Sequence, residues 1–154
     1  MSIQYHRSRV ADCDPTTLYR ILWLRVQVFV VEQEAAYDEL DGRDIEPGAE
    51  LLWAEEGDEI LATLRVLRDA HGGMRIGRVA TLVAARSRGV ASQLMRQAVA
   101  RCEELAPSAP ISLDAQKHLA DWYARFGFAV SGPEFSEDDI PHVPMRRESG
   151  LSGS

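Results

Sequence analysis

The sequence predicts an α/β fold (an α+β mixed sheet flanked by helices), and three observations carry that reading. Strand-like runs first pair as hairpins, around Glu56-Gly57-Asp58 and again around His71-Gly72-Gly73. A strand–helix–strand crossover then spans Met74 to Asp114, which puts a parallel pairing beside the antiparallel ones. Two further strand-like runs follow a short helix and close the chain. The crossover bears on function, because ligands of such sheets settle at the carboxyl ends of parallel strands.

Taken in order, Ile3 to Arg9 alternates as a first strand. Asp14-Pro15 opens a helix: the carboxylate can cap free amides and proline suits the first helical position. Leu18, Ile21, Leu22, Val26 and Phe29 follow at helical spacing, with Arg25 the one polar interruption. Glu32 to Pro47 is polar and acidic and reads as a long loop with a turn at Asp41-Gly42. A loop of that length is more often functional than idle. Glu50 to Ala54 and Ile60 to Leu67 read as the strands of a hairpin, and Met74 to Val83 as a third strand. A second helix runs from Val90 to about Leu105, with an apolar stripe of Val90, Leu94, Met95, Ala98, Cys102 and Leu105. Pro107 and Pro110 end it. Ile111 to Asp114 is a short buried strand, and His118 to Phe126 a helix stopped by Gly127. Phe128 to Phe135 and His142 to Arg147 form the closing pair, with Trp23 and Trp53 assigned to the core. Residues 1–148 are expected to form one domain and residues 149–154 a frayed polar tail.

Composition excludes several classes. With 45% hydrophobic and 27% charged residues the chain is an ordinary globule. No apolar run approaches the ~20 residues of a membrane helix. The longest, Ile21 to Val31, is broken by Arg25 and Gln27, and the first ten residues lack a signal core. Asp plus Glu number 24 against 17 Lys plus Arg, a formal charge of −7, which argues against nucleic acid. A small cationic substrate is compatible, and so is plain solubility. Cys102 sits on the apolar side of its helix and reads as a core thiol. With Cys13 in no motif, a reducing cytoplasm is the simpler expectation. The four histidines show no metal-ligand spacing, so no metal is expected.

The informative stretch is Arg78 to Ala91. A strand enters a loop holding Arg86, Ser87, Arg88 and Gly89, and the loop opens onto the helix at Val90. Amides at such a helix start face outward with partial positive charge. Gly89 lets the backbone approach a bound group, and Ala91 does not obstruct it. In physical terms this is a diphosphate cradle.

Arg86-x-x-Gly89-x-Ala91 resembles the Arg/Gln-x-x-Gly-x-Gly/Ala signature of the Gcn5-related N-acetyltransferase (GNAT) superfamily. Trp122-Tyr123-Ala124-Arg125-Phe126-Gly127-Phe128 resembles its tyrosine-then-Gly-Phe ending. Within that superfamily the chain resembles the ElaA-like family, through Phe29 to Gln33, Tyr37 to Asp44, Ala115-Gln116, Pro141-His142 and Met145 to Arg147. It departs at Val83, where relatives often have proline, and at Ser87, where glycine is common. The resemblance implies an acyl-CoA N-acyltransferase fold, its central mixed sheet splayed between the fourth and fifth strands. It implies acetyl-CoA as co-substrate and a small-molecule or peptide amine as acceptor, with homodimers common for the architecture. The pantetheine arm would lie in the gap near Val79 and Thr81, with Gln116 nearby. Amides and side chains of Arg86, Ser87, Arg88, Gly89, Val90, Ala91 and Ser92 would hold the diphosphate.

Acyl transfer needs a neutral amine, although a lysine-like amine has a pKa of about 10.4. It also needs a donor to the oxyanion and a proton for the departing thiolate. The resemblance gives the last task to Tyr123, which otherwise simply packs with Trp122 and Phe126. For the base, Glu32 and His142 are both candidates, and a water chain is a third. Asp38 and Asp41 are candidates to line the acceptor site or to serve the loop structurally. Two alternatives stand beside the acetyltransferase: a longer-chain donor, as in acyl-homoserine-lactone synthases, and a non-catalytic acyl-CoA-binding module.

Overall fold

The computed structural model describes residues 2–150. In chain order the elements are β1 (Gln4–Ser8), α1 (Pro15–Val26), β2 (Glu50–Glu56), β3 (Glu59–Arg68), β4 (Met74–Thr81), α2 (Val90–Leu105), β5 (Ile111–Gln116), α3 (Ala120–Ala124), β6 (Ala129–Val130), β7 (Phe135–Glu137) and β8 (Ile140–Arg147). They form one sheet in the order β1-β2-β3-β4-β5-β8-β6, with β7 also on β8. The β4–β5 pair is parallel and the others are antiparallel, so the expected mixed sheet is present.

Alternation along β2 explains the layering. Leu52 and Ala54 face α2, whose Val90, Leu94, Met95, Ala98 and Cys102 fill the larger core. Leu51 and Trp53 face the opposite side, where Ile21, Leu24 and Val28 of the first helix pack. Both faces are therefore covered, which is why β2 and β3 read as nearly continuous apolar runs. The Asp14 side chain accepts from the Thr17 amide 3.0 Å away, the cap that Asp14-Pro15 implied.

The feature that makes room for a ligand is a bulge. Thr63 pairs with Ala80, but Arg65 pairs with Gly77, so β4 carries one residue more than β3 over that interval. Arg78 absorbs the difference at φ +51°. A bulged strand bends and twists more strongly. β4 accordingly meets β5 only at Met74↔Ile111 and Arg75↔Ser112, and then diverges. β5 continues against β8 over its full length, from Ile111↔Arg147 to Gln116↔His142. The expected splay between the fourth and fifth strands is present.

Several expectations need correction. The Phe128 to Phe135 strand is two pieces, because Ser131-Gly132-Pro133 intervenes and proline has no amide to donate. The third strand ends at Thr81, and Val83–Ala85 forms a 3₁₀ turn. The His118 to Phe126 helix is a 3₁₀ turn, Lys117–Leu119, followed by the shorter α3. Trp23 is 59% exposed, since the inward stripe of α1 is Ile21, Leu24 and Arg25. Ser149, expected in the frayed tail, is buried and its hydroxyl donates to the Pro107 carbonyl (2.6 Å). Residues 151–154 of that tail lie outside the described residues.

Candidate active site

Two cavities open at the splay and share a wall. One, about 360 Å³, lies beside the start of α2 and is lined by Glu32, Thr81, Arg86, Gly89, Ala91 and Ser92, among others. The other, about 250 Å³, lies toward the β7–β8 hairpin and is lined by Tyr37, Asp41, Arg78, Glu137, Asp138 and His142, among others. Phe29, Gln33, Val79, Gln116, Leu119 and Tyr123 line both.

The first helix delivers part of that wall through a change of pitch. Gln27–Glu32 continues α1 as a π-helical turn, and the Ala35 amide donates to the Val30 carbonyl, five residues back (3.1 Å). Wide turns of this kind recur at functional sites. Here the turn brings Phe29, Glu32 and Gln33 to the gap. Gln33 Nε2 donates to Gln116 Oε1 (3.3 Å), tying the turn to the end of β5 across the opening.

At the start of α2 no side chain among the described residues caps the helix. The first-turn amides at Val90, Ala91 and Ser92 have no intrahelical acceptor, so they are available to an anion. Gly89 sits at φ +74°, and a Cβ there would meet nothing within 4 Å, so the approach is open. The residues fit a diphosphate. Arg86 reaches along the cavity: its Nε donates to the Thr81 carbonyl (3.1 Å) and its Nη2 to Glu32 (2.7 Å). Arg88 does not join it, being paired with Glu56 (2.8 and 3.2 Å). Ser87 and Arg88 line neither cavity, and the Val90 side chain is in the core.

Tyr123 is 7% exposed and packs edge-on against Trp122. Its hydroxyl has no hydrogen-bond partner among the described residues, and burial pushes the phenol well above the ordinary tyrosine value. His142 stacks on Phe135, and its Nδ1 lies 2.8 Å from the Ile140 carbonyl oxygen. A carbonyl only accepts, so the neutral ring carries its proton on Nδ1 and keeps a lone pair on Nε2. Glu32 and His142, the two candidate bases, thus face different cavities.

The acidic loop is not an open cation trap. Its carboxylates meet three arginines that interrupt apolar elements. Buried Arg25 donates to Glu39 (2.5 and 3.1 Å) and to Asp44 (2.7 and 3.1 Å). Arg65 of β3 holds Asp41 bidentately (2.8 and 2.9 Å). Arg78, at the bulge, donates to Asp41 (3.2 Å) and to the Glu39 carbonyl (3.1 and 3.3 Å), and its guanidinium lies over the Tyr37 ring. Burial pushes the Tyr37 phenol up to about 12. Asp38 is exposed and lines neither cavity; its carbonyl accepts from Arg78 (3.4 Å). Arg65, Arg75, Arg78 and Tyr37 were not singled out as site residues from the sequence. Arg65 carried a signal, as the one charge inside the Ile60 to Leu67 run.

Hydrogen bonds from Arg65 hold the Asp41 carboxyl well below the usual range. A depressed carboxyl stabilises the fold above its unfolded value near 3.9, and that contribution disappears as pH falls through the folded one. Asp41→Asn is therefore expected to cost about 1–2 kcal/mol near neutrality, allowing for solvent screening. The difference from the parent should shrink steadily in acid, as urea unfolding at a series of pH values would record. A difference constant with pH would mean the pair contributes nothing as ions.

An acetyltransferase (GNAT) domain model matches residues 14–149. A UPF0039 protein of Mycobacterium tuberculosis is 44% identical over 140 residues, covering 88% of this chain and 87% of that one. An acyl-CoA N-acyltransferase from Pseudomonas aeruginosa superposes with a TM-score of 0.89 at 41% identity, over 95% of this chain and 99% of the other. Escherichia coli ElaA superposes with a TM-score of 0.90 at 34% identity, over 96% and 100%. The fold that carries this splayed sheet is thus that of an acyltransferase with a GNAT domain. The chain belongs to the GNAT superfamily and, within it, to the ElaA-like family.

Proposed function

We propose that the protein is an N-acetyltransferase that moves the acetyl group of acetyl-CoA to a primary amine by direct attack. The observation that carries this reading is Tyr123: a buried phenol with an unpartnered hydroxyl, common to both cavities. The α2-side cavity takes the carrier, with the diphosphate on the first-turn amides and Arg86 exchanging Glu32 for phosphate oxygens. The pantetheine arm runs along the edge of β4 that β5 has left. The hairpin-side cavity takes the amine.

The amine nitrogen attacks the thioester carbon, forming the C–N bond. A gap-facing amide of β4 receives the oxyanion. The nitrogen gives a proton to His142 Nε2, the candidate base that lines the amine's cavity. The C–S bond then breaks, and the thiolate takes the Tyr123 proton, which solvent later restores. Burial keeps the phenol protonated, and so able to donate, until the C–S bond breaks.

Calorimetry with coenzyme A, followed by thiol release from acetyl-CoA with primary amines, tests the reading. Arg86→Ala is expected to weaken coenzyme A binding about tenfold, the value of one partly exposed charge-assisted contact. Absence of binding by coenzyme A and its esters to folded protein would overturn the proposal.

A further inference from the structure

Asp plus Glu outnumber Lys plus Arg by 24 to 17, yet some arginines meet no carboxylate. Among the described residues the cations without a carboxylate partner are Arg9, Arg68, Arg96 and Arg125. Two of these stand at Phe126. The Arg96 guanidinium lies 5.9 Å from the centre of its ring, and exposed Arg125 directly precedes it in the chain. The Phe126 ring packs edge-on against Trp122 (5.0 Å), which lines the α2-side cavity. On α2, Ser92 lines the same cavity, and Arg96 follows it by four residues on the same face of the helix. That helix offers Arg96 no counter-charge, because the residues three and four positions away are Ser92, Gln93, Val99 and Ala100. Among the described residues the one carboxylate lining the α2-side cavity is Glu32, and Arg86 holds it.

Resting on the cofactor reading above, we infer that Arg96 binds the ribose 3′-phosphate of coenzyme A. The 5′-diphosphate sits on the first-turn amides at Val90, Ala91 and Ser92. The 3′-phosphate hangs from the ribose that carries this diphosphate, so it reaches about one helical turn, ~5 Å, further along, where Arg96 stands. Phe126 occupies one face of the guanidinium and leaves its N–H edge free, and that edge suits two phosphate oxygens. Arg125 adds charge of the same sign beside it. The contact gives the protein a way to prefer coenzyme A thioesters over pantetheine carriers that lack this phosphate.

The test compares the dissociation constants of coenzyme A and 3′-dephospho-coenzyme A by calorimetry. The parent is expected to bind coenzyme A about tenfold more tightly, the value of one partly exposed charge-assisted contact. In the Arg96→Ala, Arg125→Ala double variant the ratio should fall toward one through weaker binding of coenzyme A. Arg9→Ala removes the same kind of charge beside β1, the far edge strand, and should keep the parent ratio. For the unaltered protein, added salt should narrow the difference between the two ligands, a readout independent of how any variant folds. Equal binding by the parent, or a preference that survives in the double variant, overturns the assignment of Arg96 and leaves the diphosphate cradle standing. Binding of neither ligand overturns the cofactor reading as well.

Discussion

Tyr123→Phe is expected to lower kcat about a hundredfold or more, the usual loss when a positioned proton donor is removed, while leaving the dissociation constant of coenzyme A unchanged. Phenylalanine keeps the ring against Trp122, so packing survives and only the hydroxyl goes. The size of the effect follows from burial. No hydrogen-bonding side chain among the described residues touches that hydroxyl, and no other tyrosine lines both cavities. Desolvation also makes an unprotonated thiolate a poorer leaving group than it would be in water. Steady-state thiol release and calorimetry on the same preparation separate the two quantities. An undiminished kcat would reduce Tyr123 to a cavity wall and return the proton to solvent.

Arg25→Ala is expected to be the most damaging change to stability, about 3–5 kcal/mol, or roughly 10 °C in Tm for a domain of this size. Arg25 is 1% exposed and Glu39 3%, so removing the guanidinium strands a carboxylate where water cannot reach it. Arg78 Nε, 3.5 Å from Glu39, compensates only in part. The Arg25→Met, Glu39→Leu double variant should recover much of the loss, because no buried charge is then left alone and Asp44 retains Arg65. Thermal unfolding of the parent and both variants decides this. If the single and double variants melt together, the buried charge is not what destabilises the first.

The network also explains how much of the site was legible in the sequence. The cradle was local. Arg86, Gly89, Ala91 and Ser92 lie within one strand–loop–helix passage and line one cavity together. Tyr123 was legible through its spacing to Gly127. The acidic loop was visible as four carboxylates, and Arg25 as a break in an apolar stripe. Nothing in the sequence paired them, because Arg25, Arg65 and Arg78 come from three elements that meet only after the sheet forms. Glu32 and His142 looked like equivalent candidates for the base. The π-helical turn sends Glu32 to Arg86, whereas the β5–β8 register sets His142 opposite Gln116 at the other cavity.

By itself the sequence determined the order of elements up to the closing strands, the mixed sheet, the outward-facing amides before the second long helix and the membership that these motifs signal. These depend on period, turn residues and spacing, which act over a few residues. The tertiary structure alone decided the one-residue bulge at Arg78, the neutralisation of the acidic loop, and the sharing of Tyr123 between two cavities. Each depends on groups far apart in the chain. Which arginine meets which carboxylate follows from distances that only the assembled sheet establishes.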